Sequence, residues 1–285
     1  MKKFLLFLIL FGIISCSTDS DNLTNNSLAA ETFLNVSYGN NPQQKYDLYL
    51  PADRSSEKTK VLVLIHGGGW TEGDKSDMDY LIPYIKQQHP NHAIVNINYV
   101  LADVQTPAFP NQFLDLDAVI NKLTNEKNES HILPQFGLIG ASAGAHISLM
   151  YDYAYDSDNQ VKMVCDIVGP TDFTDPFYAE NPLFDLLLAS LVDESAYPIG
   201  TNFAEILSPA KIVTNKISPT ILFYGNTDPL VPLTNGEKLN TALNLAGIEH
   251  NFTVYQGGHG NWIPADIEDL KTQISAFINL YLKIE

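Results

Sequence analysis

The chain has 285 residues, 45% hydrophobic and 11% aromatic, which is enough for one large core and within the length a single α/β domain holds. A formal net charge of −17 with no basic patch repels phosphate backbones and anionic headgroups, and this excludes nucleic acid and polyphosphate partners. Two cysteines, Cys16 and Cys165, are too few for a disulfide framework or a structural metal site, and no His/Cys/carboxylate cluster has ligand spacing, so no metal or cofactor is expected.

Residues 1–15 join a basic start, Met1-Lys2-Lys3, to a short apolar run and small residues. That is the pattern of a secretory signal, too short to span a bilayer as a mature helix. Ile13-Ile14-Ser15-Cys16 resembles a bacterial lipobox, which makes Cys16 an acylated first residue; several acyl chains on one cysteine anchor stably where one is marginal. Residues 16–31 are rich in Ser, Asn, Asp and Thr, cannot bury enough surface to fold, and read as a flexible tether. Asp19 and Asp21 resemble the surface-export signals of some Gram-negative lipoproteins. The expected location is exported and lipid-anchored to the cell envelope, with the membrane touched only through that anchor.

Residues 32–285 form the expected folded domain. Strands are predicted at 32–38, 46–50, 61–66, 93–98, 136–140, 163–168, 220–224 and 251–255. The first two alternate and lie close together, as in an antiparallel pair, whereas the later ones are continuous apolar runs, as parallel strands buried on both faces require. Helices are predicted at 77–88, 113–127, 143–153, 235–246 and 264–282; in the second, Phe113, Leu116, Val119, Ile120 and Leu123 share one face. Strands alternating with helices imply an α/β fold with a mostly parallel eight-stranded sheet covered on both faces. Residues 171–218 break the rhythm with prolines and aromatics but no strand, and are expected to form a small helical cap between the sixth and seventh strands.

The chemistry centres on Ser142. Gly140-Ala141-Ser142-Ala143-Gly144 follows an apolar run and opens a helix-like stretch, the strand–turn–helix context of a nucleophile elbow. His66-Gly67-Gly68-Gly69-Trp70 follows the third strand, and glycines there let backbone N–H groups approach a ligand. Together with the Ala143 N–H, those donors suit the oxyanion of a tetrahedral intermediate; His66 itself reads as a loop-shaping hydrogen-bonding residue. Asp228 follows the seventh strand, at the carboxyl end where open α/β sheets bind ligands, with Asp172 after the sixth strand as its competitor for the acid. His259, in a glycine-flanked loop after the eighth strand, is the candidate base. His89, His92, His131 and His250 lie in polar connections and are expected at the surface, while His146 and Cys165 are expected to pack inside.

The order Ser142, Asp228, His259 is that of α/β-hydrolases. With the His66–Trp70 segment and the Gly-Gly-His259 loop, the chain resembles the hormone-sensitive-lipase-like esterases. Tyr46-Asp47-Leu48-Tyr49-Leu50-Pro51 and Gly73-Asp74-Lys75 are more closely similar to secreted bacterial esterases of the feruloyl and acetyl-xylan type. The resemblance covers residues 32–285 and implies acyl-ester cleavage through a Ser-His-Asp triad and an acyl-enzyme, with Gly68, Gly69 and Ala143 as oxyanion donors. Small or glycan-linked acetyl and feruloyl esters are the implied substrates. One departure stands out: lipase-like relatives carry Tyr-Arg-Leu-Ala-Pro where this chain has Tyr99-Val100-Leu101-Ala102-Asp103. The same triad also serves amide hydrolysis, as in an aryl-formamidase or a small peptidase, and a non-catalytic glycan-binding lipoprotein is the alternative of a different class.

Overall fold

The computed structural model describes residues 28–285; the expected signal, Cys16 and most of the tether lie outside the described residues. An eight-stranded sheet runs in the order β1-β2-β4-β3-β5-β6-β7-β8. Its strands are β1 (Glu31–Ser37), β2 (Lys45–Leu50), β3 (Val61–Ile65), β4 (Ala93–Asn98), β5 (Phe136–Ala141), β6 (Val161–Ile167), β7 (Thr220–Gly225) and β8 (His250–Tyr255). Only the β1–β2 and β2–β4 pairs are antiparallel. The helices are α1 (Ile82–Gln88), α2 (Asn111–Asn125), α3 (Lys127–Ser130), α4 (Ala143–Ala154), α5 (Pro176–Ala179), α6 (Phe184–Ser190), α7 (Phe203–Ile206), α8 (Leu233–Ala246) and α9 (Pro264–Tyr281).

β3 shows why the central strands are apolar throughout. Val61, Val63 and Ile65 point into one core with α2, α4 and α8, while Leu62 and Leu64 point into the other with α1 and α9. All five are fully buried, and each such side chain contributes roughly 1.5–3 kcal/mol of burial free energy. The five apolar residues expected on one face of α2 are likewise fully buried. Parallel strands joined this way leave their carboxyl ends on one edge, where the loops carrying chemistry collect.

Three expectations change in detail. The predicted helix at 77–88 divides into a 3-10 segment, Lys75–Leu81, and α1, because Pro83 opens the α-helix. The folded body begins before residue 32. Leu28 O accepts the Asp53 N–H, and the buried Arg54 guanidinium donates to Ala29 O and pairs with Glu31 in β1. His89 and His92 are buried, not exposed, since the end of α1 packs on α9: His89 Nε2 meets Ser275 Oγ at 2.9 Å and His92 Nε2 meets Leu282 O at 2.9 Å. His131 and His250 are half-buried. Between β6 and β7 lie only short helices, α5 to α7, with 3-10 turns.

Candidate active site

Ser142 sits between β5 and α4 with φ 53° and ψ −119°, a conformation that costs an L-residue about 1–3 kcal/mol and persists only when its surroundings impose it. Two glycines make the turn possible by close approach. A Cβ on Gly140 would lie 2.4 Å from Gly144 O, and one on Gly144 would lie 2.2 Å from Ile65 O. From the other side, Ile167 O accepts the Ser142 N–H at 2.7 Å.

Ser142 Oγ lies 2.9 Å from His259 Nε2, and His259 Nδ1 lies 2.7 Å from Asp228 Oδ2. The other oxygen of Asp228 accepts the Leu230 and Val231 N–H groups at 2.8 and 3.0 Å. Burial pushes the Asp228 carboxyl up, but the His259 contact and these two N–H donors outweigh it and hold it below the usual carboxylate range. The His259 and Asp228 loops are laced together: Thr227 N–H donates to Gly257 O, and Asn226 Oδ1 accepts the Gly257 N–H. Asn261 Oδ1 and Trp262 Nε1 close the His259 loop on Gly258.

Asp172 is not brought to this cluster. Its carboxylate takes Lys238 Nζ at 2.8 Å together with the Thr174 N–H and hydroxyl, and the same ammonium reaches Asp175 at 2.8 Å. Asn235 at the start of α8 accepts the Thr171 and Asp172 N–H groups, so this knot ties the 171–218 segment to the helix that follows Asp228.

The glycine loop after β3 lies against the elbow; a Cβ on Gly67 would stand 3.1 Å from Ser142 Cβ. Gly68 has φ +107°, and a side chain there would collide with Glu72 O at 2.1 Å. His66 Nδ1 donates to Gly67 O at 2.7 Å, its ring stacks on Tyr99 at 4.3 Å, and burial pushes its pKa down. Tyr99 Oη lies 3.0 Å from both the His66 and Gly67 carbonyls and donates between them. Because a trans peptide sets its C=O and N–H on opposite sides, holding Gly67 O there fixes the direction of the Gly68 N–H. His146 is fully buried one turn after Ser142, meets Leu207 O through Nε2 at 2.8 Å, and is ringed by Trp70, Phe109, Phe113 and Phe173. Burial pushes its pKa down to about 4, so it packs there as a neutral ring. Among the described residues no group of three or more His, Cys, Asp or Glu side chains is arranged to hold a metal ion.

A strained serine between a parallel strand and a helix, at the carboxyl edge of this sheet, defines an α/β-hydrolase fold. Residues 46–243 match the BD-FAE family, and the chain belongs to it. It is 24% identical over 251 residues to esterase LipC of Mycobacterium tuberculosis, covering 78% of this chain but only 60% of that protein. Kynurenine formamidase of Danio rerio is 24% identical over 234 residues, covering 78% of this chain and 72% of the relative. Among solved structures, a truncated carbohydrate esterase from gut microbiota superimposes with a TM-score of 0.66 at 18% identity, covering 88% of this chain and 98% of the other. A thermophilic esterase from Thermogutta terrifontis gives 0.70 at 17% identity over 90% of this chain and 94% of its own. At these identities the structural likeness establishes the fold.

Proposed function

We propose that the protein is a serine carboxylic ester hydrolase in which Ser142 is the nucleophile, His259 the base and Asp228 the residue that orients it. The observation that carries this reading is the unbroken relay from Ser142 Oγ to His259 Nε2 at 2.9 Å and from His259 Nδ1 to Asp228 Oδ2 at 2.7 Å. His259 takes the hydroxyl proton as Oγ attacks the ester carbonyl, and the N–H groups of Gly68, Gly69 and Ala143 receive the oxyanion. Collapse breaks the bond to the leaving alkoxide, which takes the proton from His259, and leaves an acyl-Ser142 ester. Water, deprotonated in turn by His259, attacks that ester and releases the acid.

Family membership supports small or glycan-linked acetyl and feruloyl esters as substrates. The pattern of residues 1–16 supports export and acylation at Cys16. Formamide cleavage is the second reading, favoured by the likeness to a kynurenine formamidase over most of both chains. Turnover of p-nitrophenyl acetate and labelling by a fluorophosphonate probe test the central assignment. Both should vanish in Ser142→Ala, and turnover should vanish in His259→Ala; activity in either variant comparable to wild type overturns it. Acetylated and feruloylated oligosaccharides assayed beside N-formyl arylamines separate the two substrate readings. Loss of metabolic fatty-acid labelling in Cys16→Ala tests the anchor.

A further inference from the structure

The end of β6 contains a buried carboxyl that the hydrolytic relay does not use. Asp166 is completely buried, and Oδ1 accepts the Gly169 N–H at 2.7 Å. Its other oxygen, Oδ2, lies 2.6 Å from the Tyr224 hydroxyl, and that same hydroxyl lies 2.6 Å from Gly169 O. At 2.6 Å each, these contacts are too short for one proton shared between two acceptors, as Tyr99 shares its own at 3.0 Å, so they need two protons. A phenol has one, a backbone carbonyl has none, and a carboxylate can only accept. Thr171, the remaining polar neighbour of the phenol, already donates its hydroxyl proton to Asn235 O. Tyr224 therefore donates to Gly169 O, and the second proton has to sit on Asp166.

The turn that this pair closes holds Ser142. Val168 adopts φ +52°, a left-handed conformation that is a genuine outlier for a β-branched residue. The carbonyl just before it, Ile167 O, accepts the Ser142 N–H. Gly169, just after it, is gripped at both its N–H and its C=O by Asp166 and Tyr224.

We infer that Asp166 is a neutral carboxylic acid that donates to Tyr224 and serves as a positioning residue, locking the strained Val168 turn against the nucleophile elbow. A buried acid kept protonated so that it can donate is an established device in enzyme sites. Among the described residues no Lys, Arg or His forms an ion pair with it. Cys165 on β6 itself, Tyr153 on α4 and Tyr224 on β7 are the titratable groups that feel its charge, with Tyr178 beyond Tyr224. β5 presents Gly140 beside it in the ladder, and α8 presents Gly236 to the Tyr224 ring. Burial pushes the Asp166 pKa up to about 7, with the contacts to Tyr224 and Gly169 only partly offsetting it.

The protonation state stands apart from the hydrolytic reading; only its effect on turnover rests on Ser142 as nucleophile. Asparagine reproduces the pattern the inference requires, its oxygen accepting from Gly169 and its amide donating to Tyr224. Asp166→Asn should therefore fold and keep p-nitrophenyl acetate turnover within about threefold of wild type, whereas Asp166→Ala, which loses a buried hydrogen-bonding partner, should lose tenfold or more. An infrared difference spectrum of wild type minus Asp166→Asn at pH 6 should carry the carbonyl stretch of a protonated carboxylic acid. A carboxylate band in its place, an Asn variant as damaged as the Ala variant, or an Asn variant that does not fold would each overturn the inference. If neither wild type nor variants hydrolyse any ester, the infrared result still decides the protonation state, and the hydrolytic reading alone fails.

Discussion

Replacing Asp228 by asparagine tests the relay at its most informative link. One oxygen of Asp228 is committed to the Leu230 and Val231 N–H groups, so the asparagine oxygen must stay there and its amide nitrogen must face His259 Nδ1. Two donors cannot share that 2.7 Å contact, so the imidazole has to present a lone pair at Nδ1 and carry its proton on Nε2. Nε2 then points an N–H at Ser142 Oγ across 2.9 Å and cannot take the serine proton. In a triad of this design the wrong tautomer costs about 10⁴-fold in kcat, or about 5.5 kcal/mol at about 1.4 kcal/mol per factor of ten. Stability should hardly change, because every N–H donor to the carboxyl keeps its acceptor. The assay is steady-state hydrolysis of p-nitrophenyl acetate with thermal melts of the same preparations. Asp172→Asn is the control: Asp172 is paired with Lys238, so that variant should lose stability while keeping kcat within about threefold, the range of one weakened hydrogen bond away from the reacting atoms. More than a tenth of wild-type turnover in Asp228→Asn, or an equal loss in Asp172→Asn, would refute the assignment of the acid.

Tyr99→Phe removes the donor that helps hold Gly67 O, and kcat should fall about tenfold with KM nearly unchanged, measured with the same ester. Gly68→Ala meets Glu72 O at 2.1 Å and should abolish turnover, whereas Gly69→Ala has nothing within 4 Å and carries only the cost of its φ of +55°, about 1 kcal/mol. Lys238→Met strands the buried carboxylates of Asp172 and Asp175; because the lysine is 37% exposed, solvent reduces the loss to about 1–2 kcal/mol, readable by urea titration. Asp166 links stability to pH in the opposite sense to a salt-bridged carboxylate. Its pKa is raised from 3.8 to about 7, so its contribution is full below pH 3.8 and is lost as pH rises through about 7. That interval is worth on the order of 4 kcal/mol. Urea titrations from pH 4 to 8 should show wild type losing this much relative to Asp166→Asn, and parallel curves would contradict a neutral acid.

Burial on both faces is a local property, which is why the central sheet can be read along the chain. Val61–Ile65 needs apolar side chains on alternate sides, and that requirement is written in five consecutive residues. The elbow is partly local: Gly140 is demanded by Gly144 and Ala145 within one turn of Ser142, whereas Gly144 is demanded by Ile65 and His66 at the end of β3. Polar partners are another matter. His89 and His92 look like surface histidines because nothing near them explains burial; their hydrogen-bond partners, Ser275 and Leu282, lie 186 and 190 residues further on. Asp172 and Asp228 both follow strand ends, and it is Lys238, in the second turn of α8, together with Thr174 and Asn235, that removes the first from contention. Asp166 is concealed most completely, inside an apolar strand, where its proton depends on a tyrosine 58 residues away in the next strand. Hydrophobic period reports which face of an element is covered, but it carries nothing about which distant atom completes a hydrogen bond. The strand–turn–helix pattern around Ser142 is therefore legible, while the groups that hold the neighbouring loops against it, Tyr99 on the glycine loop and Asp166 and Tyr224 on the Val168 turn, emerge only once the strands are side by side.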